Sequence, residues 1–302
     1  MKRILLLAAV ALFFSCSNDD DGVVITNPTA PGLGYSLSTQ DFTTTYNSLR
    51  NAIQANNNVN IVAEVNHTAN AQSTGQDLGN TRLIIFGNPA VGTPLMQANQ
   101  LAGLDLPQKM LVYQNSSNNV FVAYNSTAYL SARHAGVGGA STLQQLGTAL
   151  SNFTEGATNA TVSENSSSGI TNRQGSITLV SNNDFATTYN NLRNAISDNT
   201  NLNIIAEVDH QLNAQSVGLT LRPTKLIIFG NPSLGTPLMR SAQTTGIDLP
   251  QKMLVWQDEN GTVNISYNNP PYLAVRHNIN DNAENINTIK STLEGLAIDA
   301  AN

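Results

Sequence analysis

Four histidines carry most of the chemistry this sequence offers. His67, His134, His210 and His277 fall as two pairs separated by the same 143 positions, and imidazole is the side chain most readily used near neutral pH for proton transfer or metal ligation. Each pair has matching company: Glu64, Tyr124 and Arg133 in the first half, Glu207, Tyr267 and Arg276 in the second. One arrangement gathers Glu64, His67 and His134 of one half around a small ligand or a divalent ion, with Arg133 and Tyr124 beside it for an anion; the metal is left open. A plainer arrangement hydrogen-bonds the histidines at the rim of the core and pairs Arg133 with Glu64 and Arg276 with Glu207. A strand over residues 60–67 favours the plainer one. Side chains alternate across a strand, so Glu64 and His67 would point to opposite faces.

A second candidate is the loop holding Gly87, Asn88, Gly92 and Thr93, repeated as Gly230, Asn231, Gly235 and Thr236. Thr93 followed by Pro94 reads as a helix N-cap and first helical position, and free N–H groups at a helix start can hold a phosphate or carboxylate. The loop lacks the lysine and glycine spacing of nucleotide-binding loops. Turn chemistry accounts for its glycines as well as an anion does. Asp105, in Leu104-Asp-Leu-Pro107, has no carboxylate partner for acid–base work and reads as bonding local backbone. Sequence patterns of the common hydrolases do not occur. The reading therefore assigns no catalytic residue and no cofactor, and favours a non-enzymatic module over an enzyme with an unfamiliar His134, Arg133 and Tyr124 site.

These groups must be positioned by a repeated unit. Asp41-Phe-Thr-Thr-Thr-Tyr-Asn47 returns as Asp184-Phe-Ala-Thr-Thr-Tyr-Asn190, and the offset holds without a gap through Arg133-His134 and Arg276-His277. Within a copy, Phe42, Tyr46, Leu49 and Ile53 recur at helical spacing after Asp41, predicting a helix over 41–56. Runs at 60–67, 83–88, 110–114 and 120–124 predict strands, the last two forming a hairpin around Asn115 to Asn119. A helix from Thr93 to about Ala102 and one through Leu143, Leu146, Leu150 and Phe153 complete the copy, with Tyr35 to Ser38 as a first strand. The order β-α-β-β-α-β-β-α predicts an α+β fold: two tandem layered sandwiches, each a mostly antiparallel sheet backed by helices. Expected boundaries are 34–153 and 177–302, joined by a flexible Ser/Asn/Gly linker at 154–176.

Composition narrows the setting. Charged residues are 11% and the net charge is −6, with no basic cluster beyond Lys2-Arg3, so nucleic acid is not an expected partner. Lys2-Arg3, the apolar run Ile4 to Phe14 and Ser15 predict a signal peptide over 1–15, too short to span a bilayer. Leu12 to Cys16 resembles a bacterial lipobox, which implies acylation of Cys16, the one cysteine. Residues 16–33 then read as a tether, whose Ser17-Asn-Asp-Asp-Asp21 resembles the acidic export signal of Bacteroidetes surface lipoproteins. The expected location is the cell envelope, outer membrane or cell surface, with the membrane a partner through the lipid.

The strings Gly87-Asn-Pro-x-x-Gly-Thr-Pro-Leu-Met96, Gly103-Leu-Asp-Leu-Pro-x-Lys-Met-Leu-Val-Tyr113 and Tyr129-Leu-x-x-Arg133-His134 recur at Gly230, Gly246 and Tyr272. Together they resemble the family catalogued as domain of unknown function 302, which implies a compact α+β domain and no established reaction. A gap-free duplication predicts that the two copies pair within the chain, because a self-associating domain is easily fused to itself. The expected activity is binding of an unknown small ligand or protein partner.

Overall fold

The computed structural model describes residues 25–302; the expected signal peptide and Cys16 lie outside the described residues. Each copy is α+β. In the first, β1 (Leu33–Leu37) leads to α1 (Phe42–Gln54), β2 (Asn60–Asn66), α2 (His67–Ser73), β3 (Thr81–Gly87), α3 (Pro89–Ala98), the hairpin β4 (Gln108–Gln114) and β5 (Val120–Asn125), α4 (Thr127–Arg133), α5 (Leu143–Thr158) and the short β6 (Ser163–Glu164). The second runs β7 (Ser176–Val180), α6 (Phe185–Asp198), β8 (Asn203–Asp209), α7 (His210–Ser216), β9 (Thr224–Gly230), α8 (Pro232–Ser241), β10 (Gln251–Gln257), β11 (Val263–Asn268), α9 (Pro270–Arg276) and α10 (Ala283–Ala301). The sheets are ordered β2-β3-β4-β5-β1-β6 and β7-β11-β10-β9-β8, antiparallel throughout.

Strand alternation sorts each sheet into two apolar faces. Ile84, Phe86, Met110, Val112, Val122 and Tyr124 turn toward α1 and α5 and close one core. Their neighbours Leu83, Ile85, Leu111, Tyr113, Phe121 and Ala123 turn the other way and pack in one cluster with Leu226, Ile228 and Leu254 of the second copy. The layers are therefore helix, sheet, sheet, helix. A sheet apolar on both faces reads as continuous hydrophobic runs, which is what residues 83–86 and 110–113 show.

Contacts between the copies come in reciprocal pairs. Gln100 Nε2 donates to Thr224 Oγ1 at 2.7 Å, and Gln243 Nε2 to Thr81 Oγ1 at 3.0 Å. A Cβ on Gly103 would stand 3.1 Å from Leu254 Cδ1, and one on Gly246 would stand 2.9 Å from Leu111 Cδ1. Glycine is what lets these turns lie against the opposite sheet.

Four local expectations are corrected. His67 does not end a strand: Asn66 caps α2 by accepting from Ala69 N–H at 3.0 Å, so His67 is the first helical residue. Thr93 is not an N-cap, because the earlier Asn88-Pro89 carries the same signature and starts α3 first, leaving Thr93-Pro94 inside the helix. The short helix α4 was not expected. Helix α5 continues to Thr158, and beyond it Ser163–Glu164 pairs with β1 while Arg173 N–H donates to Arg133 C=O at 2.7 Å, so the stretch read as a flexible linker is tied to the first copy.

Candidate functional site

The structure divides the expected constellation into three. Glu64 sits on the helix side of β2, where it accepts from the Tyr46 hydroxyl at 2.5 Å and Arg50 Nε at 2.9 Å; Glu207 repeats this with Tyr189 and Arg193. These pairs are partly exposed. Tyr124 and Tyr267 belong to the two helix-side cores. Burial pushes both hydroxyls above their ordinary range, and Tyr124 stacks over Gly34, where a Cβ would come within 2.5 Å of the ring. Neither tyrosine reaches an arginine–histidine pair, so the expected anion site of Arg133 with Tyr124 is not formed.

Arg133 and His134 instead converge on Asp105. Arg133 Nη1 donates to Asp105 Oδ2 at 2.7 Å, His134 Nε2 lies 2.7 Å from the same oxygen, and the ion pair is fully buried. Arg276 and His277 hold Asp248 in the same way at 2.8 Å. This corrects both the pairing of Arg133 with Glu64 and the reading of Asp105 as a local backbone bridge. Burial alone would raise the Asp105 carboxyl; Arg133, His134 and Lys109 outweigh it and hold it well below the usual range. The cluster crosses the interface between copies: Arg133 Nη2 donates to Asn268 Oδ1 and Arg276 Nη2 to Asn125 Oδ1, each at 2.7 Å. Lys109 and Lys252 complete it. Burial pulls both ammonium groups down, Lys252 to about 7 with the neighbouring Lys109 charge adding to the shift. The cluster is buried and bonded from both copies, and its geometry is that of a lock between sheets.

His67 and His210 do something else, which sequence spacing could not reveal. His67 lines a cavity of about 490 Å³ built from the second copy's Gly230 to Thr236 loop, Met239, Leu249 and Gln251. His210 lines a cavity of about 350 Å³ built from the first copy's Gly87 to Thr93 loop, Met96, Leu106 and Gln108. The two candidate sites thus merge, but across the copies: each histidine meets the other copy's loop. His67 and His134, expected together, are apart.

The loop does not act as an anion nest of the expected kind. Asn88 spends its side-chain oxygen on capping, accepting from Ala90 N–H at 2.9 Å, and Asn231 does the same for Ser233. Gly87 and Gly230 admit the rings of Pro107 and Pro250, which a Cβ would meet at 3.3 and 3.4 Å. Gly92 and Gly235 face Leu106 and Leu249.

What remains inside each cavity is a trio of buried polar side chains with an unpartnered atom. In the first they are Thr93 Oγ1, Gln108 Nε2 and His210 Nε2; in the second, Thr236 Oγ1, Gln251 Oε1 and His67 Nε2. None of the six residues exceeds 8% exposure. A buried polar atom without a partner costs about 1–3 kcal/mol, and here the same three positions carry it twice. Gln108 and Gln251 were not singled out in the sequence; glutamine at the start of an apolar strand was the available signal. Burial brings His67 and His210 down to about 4, partly offset by bonds that the rings donate to the backbone carbonyls of Gly246 and Gly103. Both rings are neutral at pH 7. A backbone bond that raises an imidazole pKa is one the ring donates, so Nε2 carries the free lone pair. Among the described residues no group of three or more His, Cys, Asp or Glu could hold a metal ion.

Comparison with known proteins adds a family. A family model described as "Domain of unknown function DUF302" matches residues 35–153 and again 177–296. The fluoride-specific ion channel FluC 1 of Brucella suis biovar 1 is 47% identical over 78 residues, which cover 26% of this chain and 31% of that one. A fluoride-specific ion channel of Brucella melitensis biotype 1 is likewise 47% identical over 78 residues, 29% of its length. The chain thus spans under a third of the channel proteins it matches. Among the described residues no helix is long and apolar enough to cross a membrane. The crystal structure of an uncharacterised conserved protein DUF302 from Bacillus stearothermophilus matches 43% of this chain and 99% of its own, at 20% identity and a TM-score of 0.39.

Proposed function

From the premise that this chain belongs to the DUF302 family in both of its halves, we propose that it is a non-enzymatic binding module whose copies pair in order to build two equivalent small-ligand sites. One observation carries the reading: each mostly apolar cavity holds the same trio of buried, unpartnered polar atoms, and one of the three always comes from the other copy. Ligand pockets of a few hundred Å³ with a few convergent polar groups are the ordinary form of a small-molecule site. Catalysis has less support: the Thr93 and Thr236 hydroxyls have no base hydrogen-bonded to them, and Glu207 and Asp209 beside the first cavity are held by Tyr189, Arg193 and Lys225. The channel relatives share too short a stretch to lend their activity.

The function extends to location. The lipobox-like segment ending at Cys16 would hang the two-copy body from the cell envelope by acyl chains, two or more of which make a stable anchor. Replacing Cys16 with alanine should release the protein from membrane fractions; unchanged fractionation would reject the tether. For the sites themselves, calorimetry with a panel of small alcohols, amides, carboxylates and amines should find two equivalents per chain, and both should bind more weakly in His67→Leu/His210→Leu. Saturable heat from Zn²⁺ or Cu²⁺ instead would favour metal binding.

A further inference from the structure

We infer that each cavity takes an uncharged molecule with a small head that both donates and accepts hydrogen bonds, such as a primary carboxamide or an alcohol, carried on an aliphatic tail. The inference rests on the two-site reading above and adds the chemistry of the occupant.

The tail follows from the walls. Phe86, Val91, Met96, Leu106, Leu150 and Phe153 line the first cavity, and their counterparts Phe229, Leu234, Met239, Leu249 and Leu293 appear in the second. Apolar surface leaving water against such walls contributes roughly 25 cal/mol per Å².

The head follows from the trio. With the other ring nitrogen donating to a backbone carbonyl, the unpartnered Nε2 of His67 and of His210 is the acceptor, so the ligand must bring an N–H or O–H. Thr93 and Thr236 each bring a hydroxyl that can donate, and Gln108 and Gln251 bring an amide that can do either, so the ligand must also bring an acceptor. A ketone or ether satisfies only half of the site.

Neutrality follows from what the walls lack. Among the described residues no lysine or arginine lines either cavity, and an unpaired buried carboxylate is expensive. The second cavity has no acidic side chain either. In the first, Glu207 is committed to Tyr189 and Arg193, and Asp209 to Lys225 and the Leu212 N–H. An ammonium head therefore finds no free anion. The imidazoles are themselves neutral, which fits an uncharged guest.

Four probes of similar length separate the possibilities: hexanamide, 2-heptanone, hexanoate and hexylammonium. The full chain labelled with ¹⁵N-histidine has only four rings to assign. Hexanamide should move the Nε2 signals of His67 and His210 and leave those of His134 and His277 in place, saturating at two equivalents. The other probes should bind at least about tenfold more weakly, a difference of about 1.4 kcal/mol. Thr93→Val/Thr236→Val keeps shape and removes a buried hydroxyl, so Tm should hold or rise while hexanamide affinity falls about three- to tenfold. Hexanoate, hexylammonium or 2-heptanone binding at His67 and His210 as tightly as hexanamide would overturn the inferred class while leaving the sites. No probe of any head moving those two signals would overturn the two-site reading itself.

Discussion

Replacing Asp105 with asparagine tests the placement of charge in this fold. In the wild type, the Asp105 carboxylate is fully buried against Arg133 and His134. Asparagine keeps the shape and one acceptor oxygen but removes the charge, leaving Arg133 without its counter-ion, and with Lys109 also buried nearby. Breaking a buried pair in this way costs about 3–5 kcal/mol; the retained oxygen puts the expectation at the lower end, about 3 kcal/mol. For a chain of this size that corresponds to a Tm lower by roughly 6–12 °C. The control is Glu64→Gln. Glu64 is the carboxylate that spacing alone would give to Arg133, yet it meets Arg50 with 32–37% of each side chain exposed, and exposed pairs are worth about 0–1 kcal/mol. Urea denaturation of both variants beside the wild type gives the comparison. A Glu64→Gln loss as large as that of Asp105→Asn would refute the assignment of the buried network.

Acid should weaken the fold in a defined window. His67 and His210 have folded pKa values near 4 against an ordinary 6.5; the unfolded chain therefore binds more protons between these values, so their contribution is intact above pH 6.5 and lost as pH falls to 4. Each can account for up to about 3 kcal/mol, and His67→Leu/His210→Leu should flatten urea midpoints measured across that window. Gly246→Ala should cost about 1–3 kcal/mol in a thermal melt, since its Cβ would press on Leu111 of the opposite sheet at 2.9 Å; a neutral result would show that the sheets do not pack so closely. Leu111→Ala, emptying the same contact from the other side, should cost about 2–5 kcal/mol by the same assay.

Much of the architecture is legible in the chain. The unbroken 143-residue offset requires two like units, Asp41 and the Phe42–Ile53 spacing mark α1 to within two residues of its end, and the doubly apolar strands state that both sheet faces are covered. The site was harder to read because local signals compete. Asn66 and Asp209, short caps just before the histidines, were the available sign that His67 and His210 start helices rather than end strands. Nothing local says which copy a side chain will meet, since matched residues are interchangeable in sequence, and so the histidine and the loop were read as separate sites. Asp105 was misread because a carboxylate between Leu104, Leu106 and Pro107 has no partner nearby in sequence; Arg133 reaches it from α4, a helix the periodicity did not reveal.

The claim that each site is shared between copies can be measured by double-mutant cycles on hexanamide binding, read site by site from the His67 and His210 resonances, or from the neighbouring methionine methyls where a histidine is replaced. At the second cavity, His67→Leu and Thr236→Val should couple by about 0.5 kcal/mol or more, as side chains sharing one guest do, whereas His67→Leu and Thr93→Val should add within about 0.3–0.5 kcal/mol. Coupling of His67 to Thr93 of its own copy, with additivity toward Thr236, would contradict the account.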